Sequence, residues 1–172
     1  MDFTLLHPKL VHLPIALGVL MPLMSLGALL AWWRGWLPKR AWVFVVALQA
    51  LLVVSGVAAM RSGKADEERV EHVVGEARIE AHEEAAELFV WGAAGVLAVA
   101  LAVAAVKNER TSRAIAGLAV VGTLGVLYLG YRTGEAGGRL VYQDGAASAF
   151  TSGAPAAGDA EAETGSEEHD DD

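Results

Sequence analysis

Two histidines near the ends of long apolar runs are the side chains of this sequence best suited to binding a cofactor. His12 lies just inside the first run, and His82 lies six residues before the start of the third. A neutral imidazole is a common ligand of transition metals and of haem iron. These two residues therefore define the first candidate site, and their surroundings decide what chemistry the site could perform.

A helical wheel separates the surroundings of His82 from those of the nearby acids. At 100° per residue, the residues within about 60° of His82 are small or apolar: Ile79, Ala85, Ala86 and Phe89. The acids lie about 100° to 160° away, on the other side of the helix: Glu76, Glu80, Glu83 and Glu87. If these acids face water, His82 faces the other helices. The acidic stripe itself is typical of a solvated helix face.

The pattern allows several roles for the histidines. His12 and His82 could be the axial ligands of a haem b, with His7 and His72 as substitutes. They could also bind a divalent metal together with Glu83 or Glu87, or act in a proton relay. Alternatively, they are interfacial residues that cap helix ends. No catalytic residues are predicted, and we do not expect an enzyme.

Four apolar runs would position these side chains. They span about residues 10–33, 41–60, 88–106 and 114–131, and none contains Asp, Glu, Lys or Arg. Each is long enough to cross a hydrocarbon core of about 30 Å as a helix. The sequence therefore predicts an all-α fold, an integral-membrane four-helix bundle in one domain over residues 1–147. A helix over about residues 67–87 is predicted to extend the third span beyond the membrane, and the glycines of residues 134–142 to form a turn.

The short loops predict the orientation of the bundle. Residues 34–40 and 107–113 are brief and rich in Lys and Arg, which favours the cytoplasmic side and places both termini outside.

The chain has no cysteine, which excludes disulfides and thiolate ligands. The net charge is −8, and it comes entirely from the tail. Residues 148–172 contain eight acids and no Lys or Arg, so we predict a disordered acidic tail.

Three segments together resemble a known family. They are His7-Pro8-Lys-Leu-Val-His12-Leu-Pro14 at the first span, His82-Glu83 before the third, and Gly137-Gly138-Arg-Leu-Val-Tyr142 after the fourth. The chain is similar here to the bacterial four-helix membrane family called domain of unknown function 2231. The resemblance implies a multi-pass protein of the bacterial cytoplasmic (inner) membrane. Some members are joined to Rieske or cytochrome c modules, which implies a redox setting, with His12 and His82 at the matching positions.

Two functions follow as hypotheses. The leading one is a b-type cytochrome-like subunit that holds haem between His12 and His82 and passes electrons to another redox or membrane protein. The alternative is a non-redox membrane scaffold, or assembly partner, with an acidic outer surface. Both place the protein in a lipid bilayer, and neither involves nucleic acid.

Overall fold

The part of the chain that the structure describes folds into four long helices. The computed structural model describes residues 10–71 and 74–146, with the backbone alone for residues 65–71. The helices are α1 (His12–Trp33), α2 (Val43–Glu71), α3 (Glu76–Ala105) and α4 (Glu109–Tyr142), and a short 3-10 helix, Lys39–Trp42, precedes α2. All four are long and apolar enough to cross a membrane, which confirms the predicted all-α membrane architecture. His7, His72 and the tail 148–172 lie outside the described residues.

Two boundaries differ from those predicted. The stretch at residues 67–87 is not one helix, because α2 continues to Glu71 and a new helix begins at Glu76. The glycine-containing stretch 134–142 is not a turn but the last part of α4. At this end of α4, Gly137 lies directly against α3, so its missing side chain serves close helix packing rather than chain reversal.

The helices pack in a ring, with α1 beside α2, α2 beside α3, α3 beside α4, and α4 beside α1. Among the described residues, α1 and α3 are therefore diagonal partners. Phe89 of α3 fills the centre, where it is 8% exposed. Each of the other three helices places a glycine against this ring. A Cβ atom added to Gly18, Gly56 or Gly130 would lie 4.0, 3.4 or 3.2 Å, respectively, from the nearest atom of the Phe89 ring. These glycines let three backbones approach one aromatic ring.

A buried polar layer lies further along the bundle. Ser25, Gln49 and Thr123 are each seven residues from a glycine of the Phe89 contact, about 10 Å away along the helices. Their exposed fractions are 0%, 0% and 1%. The Ser25 and Thr123 hydroxyls are 3.4 Å apart, and the Gln49 amide nitrogen donates to the Ala93 carbonyl at 2.9 Å. These contacts link α1 to α4 and α2 to α3 inside the predicted hydrocarbon zone.

The two short loops, residues 34–40 and 107–113, lie at the predicted cytoplasmic end of the bundle. Side-chain hydrogen bonds connect the helices at this end. The Lys39 ammonium donates to the Val106 carbonyl at the end of α3, where the helix dipole is negative. The Trp32 indole donates to Glu109 at 3.2 Å, and the Trp42 indole donates to the Ala100 carbonyl at 3.1 Å. Both indoles are buried, so at this end they are core residues rather than part of an interfacial aromatic belt.

Candidate functional site at the outer end

Helices α2, α3 and α4 continue past the apolar runs and form a structure comprising residues 61–64, 74–87 and 132–146. We call it the outer platform, after the orientation that the sequence predicts. It has a small hydrophobic cluster of its own, separate from the main core. Val74, Ile79 and Ala146 are 2%, 7% and 6% exposed, and Leu140 packs against them. The Thr133 hydroxyl also donates to the Ala85 carbonyl at 2.9 Å and so joins α4 to α3. The platform is therefore a packed extension of the bundle.

His82 lies at the contact between α3 and α4. Its side chain is half-buried, and a Cβ added to Gly137 would be 3.0 Å from its Cε1 atom. The imidazole therefore packs closely against the α4 backbone at Gly137, where a larger residue would force the ring to shift. The wheel placed His82 on the inward face of its helix, and this contact agrees with that placement. Tight packing against α4 leaves no space on that side of the ring for a porphyrin.

His12 has different surroundings. It is the first residue of α1, and its side chain is exposed. The buried residues of α1 form one stripe: Pro14, Leu17, Gly18, Met21, Pro22, Ser25 and Trp32. His12 is about 160° from Pro14 around the helix, so it lies on the opposite face from this stripe.

The two histidines stand at a similar height but do not converge. His12 precedes Gly18 by six residues and His82 precedes Phe89 by seven, which places each about 9 to 10 Å outward of the Gly18–Phe89 contact. They are nevertheless on diagonal helices, and His12 is on the outward face of α1. As placed, the two rings do not form a bis-imidazole pair, and their arrangement supports no electron-transfer step through a haem. Haem binding stays a prediction from the sequence.

The glutamates considered as metal ligands instead face a lysine. Lys64 of α2 is 3.6 Å from a carboxylate oxygen of Glu83 and 3.6 Å from one of Glu87. Among the described side chains of residues 10–64 and 74–146, no three from His, Asp or Glu come together as a metal site. The other acids of the α3 face, Glu76, Glu80 and Glu84, are exposed. The acidic stripe is thus solvated along most of its length and paired where α2 passes beside it.

A charged groove is the feature that the sequence did not indicate. It has a volume of about 360 Å³ and lies between the outer parts of α3 and α4. Its lining includes three arginines and two acids: Arg78, Arg132, Arg139, Glu135 and Asp144. The arginines of α4 share a helix face only if α4 continues past residue 134. A turn at residues 134–142, as the sequence predicts, would place Arg132 and Arg139 on different elements, whereas the continuous helix places them on one face.

One comparison identifies the protein's family. A family model described as "Predicted membrane protein (DUF2231)" matches residues 4–149, which is most of the chain. The chain belongs to the DUF2231 family. Neither a curated protein nor a solved structure matches it. The resemblance stated from the motif segments is thereby confirmed at the level of the family.

In this DUF2231 protein, two of the three segments that carried the resemblance meet in space. His82 of the second segment contacts Gly137 of the third, and Glu83, its neighbour, pairs with Lys64. Arg139 and Leu140 of the third segment line the groove. The first segment contributes Pro14 to the buried stripe of α1. The outer platform is therefore where the DUF2231 segments concentrate.

Proposed function

We propose that this DUF2231 protein is a non-redox, non-catalytic membrane scaffold whose outer platform binds a basic surface of a partner protein. The observation that supports this role is the platform itself, with a hydrophobic cluster of its own and a row of exposed acids. Glu76, Glu80 and Glu84 follow one another at intervals of four residues, so the row extends for about 12 Å along α3. Within the described residues, none of the three forms an ion pair.

A row of acids can recognise a partner specifically when the helix that carries it is held rigidly. The platform's cluster of Val74, Ile79 and Ala146 and the Thr133–Ala85 hydrogen bond fix α3 against α4. The backbone positions of the three glutamates are therefore held at constant spacing, and little backbone entropy is lost on their side when a partner binds. Opposite charges arranged in this way increase association rates and orient a partner more than they add affinity. This suits assembly within a membrane, where both proteins are already concentrated.

The experiment compares two double variants with the same loss of charge. Glu76→Gln with Glu80→Gln removes two unpaired carboxylates, whereas Glu83→Gln with Glu87→Gln removes the two carboxylates that share the ammonium group of Lys64. Complexes are cross-linked in native membranes and sized by native electrophoresis. We expect the first pair to shift the protein to a smaller species and the second pair to leave it unchanged.

Two results would contradict the proposal. One is a wild-type protein that migrates as a single chain with and without cross-linking. The other is an equal loss of the complex in both double variants, which would indicate a general effect of net charge. Sensitivity of the wild-type complex to about 0.5–1 M salt is a further expected result, because exposed charge pairs are screened at that ionic strength.

A further inference from the structure

The groove between α3 and α4 is open because its floor is made of small residues. Ala81 and Ala85 of α3 face Ala136 of α4, and none of the three side chains extends past one methyl group. Next to this floor the helices are at close distance, because His82 rests on Gly137 and Thr133 bonds to Ala85. The cavity is therefore a gap of fixed width rather than a consequence of loose packing.

The charges of the groove leave a positive excess. Arg139 pairs with Glu135 on the same helix at 2.5 Å, and Arg78 is 3.9 Å from Asp144. Among the side chains that the structure describes, those of residues 10–64 and 74–146, Arg132 has no ion-pair or hydrogen-bond partner, and it is exposed. Three guanidinium groups against two carboxylates give the groove a net charge of about +1, which is located at Arg132.

Arg132 stands at the depth of lipid headgroups. It follows Tyr131, the last residue of the fourth apolar run, and Tyr128 and Tyr131 are both exposed, as aromatic side chains at a membrane interface are. Arg139 is seven residues further, about 10 Å outward. The groove therefore starts at the membrane surface and extends into water, with its unpaired cation at the membrane end.

Below Arg132 the walls of the groove continue as apolar surface. On α4, Tyr128 and Val121 lie within about 40° of Arg132 around the helix and are 58% and 63% exposed. On α3, Leu88 lies two turns below Ala81 on the same face and is 60% exposed. A ligand that bears a phosphate at one end and long apolar chains at the other matches this sequence of surfaces.

We propose that the groove binds an anionic phospholipid, with the lipid phosphate at Arg132 and the acyl chains along Leu88 and Val121. Guanidinium groups bind phosphate oxygens in pairs, and basic pockets between membrane helices bind the phosphates of anionic lipids. Arg78, whose distance to Asp144 is long for an ion pair, is available as a second donor. Arg139 stays with Glu135 and forms the outer wall.

The binding test uses the full-length protein in detergent and native mass spectrometry, with dioleoylphosphatidylglycerol and dioleoylphosphatidylcholine as probes. Wild-type protein is expected to retain phosphatidylglycerol preferentially. Arg132→Gln should weaken that binding about tenfold, since a hydrogen bond to a charged group contributes at least that factor. Arg61→Gln is the matched control, because Arg61 is an exposed arginine of the same end but lines a different surface, on α2.

Variants that bind phosphatidylglycerol more tightly show that a change in lipid binding does not result from misfolding. Glu135→Gln and Asp144→Asn each remove a carboxylate that competes with the lipid phosphate, so both are expected to tighten phosphatidylglycerol binding. Equal losses from Arg132→Gln and Arg61→Gln would overturn the proposal in favour of non-specific attraction. Displacement of the lipid by inorganic phosphate at equal concentration would also overturn it, because a site for soluble phosphate needs no acyl surface. The outcome is independent of whether the acidic row binds a protein.

Discussion

Single glycines of α3 and α4 set the distance between these two helices, and they differ in what a methyl group would meet. A Cβ at Gly122 would lie 2.7 Å from Cγ2 of Val96, and a Cβ at Gly92 would lie 2.9 Å from Cδ1 of Leu129. A Cβ at Gly125 would meet no atom within 4 Å. The first two contacts look equivalent by distance, but the neighbours differ in freedom. Valine in a helix has essentially one χ1 rotamer, whereas the end of a leucine side chain can turn away.

The resulting prediction is an order of stability. Gly122→Ala should destabilise the bundle by about 1–3 kcal/mol, the typical cost of overpacking a close contact. Gly92→Ala should cost clearly less, and Gly125→Ala should be neutral or stabilising by up to about 1 kcal/mol through helix propensity. Unfolding free energies from denaturant titration in mixed micelles measure all three. An equal effect at Gly122 and Gly125 would show that helix propensity, and not the Val96 contact, governs these positions.

At the scale of the helices, the relation between α1 and α3 decides whether His12 and His82 could hold a haem between them. These helices are diagonal, and the exposed side of α1 carries His12, so an iron bound by both histidines would require α1 to rotate by more than about 100°. Such a rotation would expose the stripe that packs against α2 and α4. The scaffold proposal therefore predicts that protein purified from haem-replete cells is colourless.

An absorption spectrum tests this prediction. We expect no Soret band in the wild-type protein, and we expect His12→Ala and His82→Ala to leave its far-ultraviolet circular dichroism unchanged. A Soret band that sharpens on reduction and disappears in either variant would restore the electron-transfer hypothesis and contradict the scaffold. Gly137→Ala is a useful companion variant, because it disturbs the His82 ring without removing the imidazole.

The four long apolar helices that the structure describes could be predicted from the sequence, and their contacts could not. Uncharged apolar runs of about twenty residues indicate spans by length alone. The sequence does not predict the helical continuation of α4, because Gly134, Gly137 and Gly138 are typical of turns. Glycine is also favoured where helices touch, and only the opposite side chain, His82 for Gly137, distinguishes the two cases. Likewise, the wheel of α3 predicted the inward face of His82 but not which helix it meets.

The Arg groove depends on the same information. Arg132 and Arg139 share a face once α4 is helical, and Arg78 joins them only because α3 and α4 are neighbours in the ring. Periodicity within one helix is encoded locally, whereas adjacency of two helices is a property of the packed bundle. In the sequence alone, the three arginines are separate cations near the ends of two helices. Only the packed structure shows that they line one groove.

For the whole molecule, the remaining prediction is the direction in which the bundle crosses the membrane. The short loops at residues 34–40 and 107–113 hold the denser positive charge, which predicts that they face the cytoplasm. In the structure, Lys39 bonds to the end of α3 and Arg113 lies 5.4 Å above the Trp32 ring. These two cations therefore contribute to packing as well as to orientation. The outer platform, with its acids and its groove, would then face away from the cytoplasm.

Cysteine labelling measures this direction without interference, because the chain contains no cysteine. Glu80→Cys places a thiol on the exposed face of the platform, and Thr111→Cys places one on an exposed residue at the opposite end. In intact cells, a membrane-impermeant maleimide should label the first variant and should label the second only after permeabilisation. The reverse result would place the platform in the cytoplasm, where its acidic row would have to recruit a cytoplasmic partner and its groove would meet lipids of the inner leaflet.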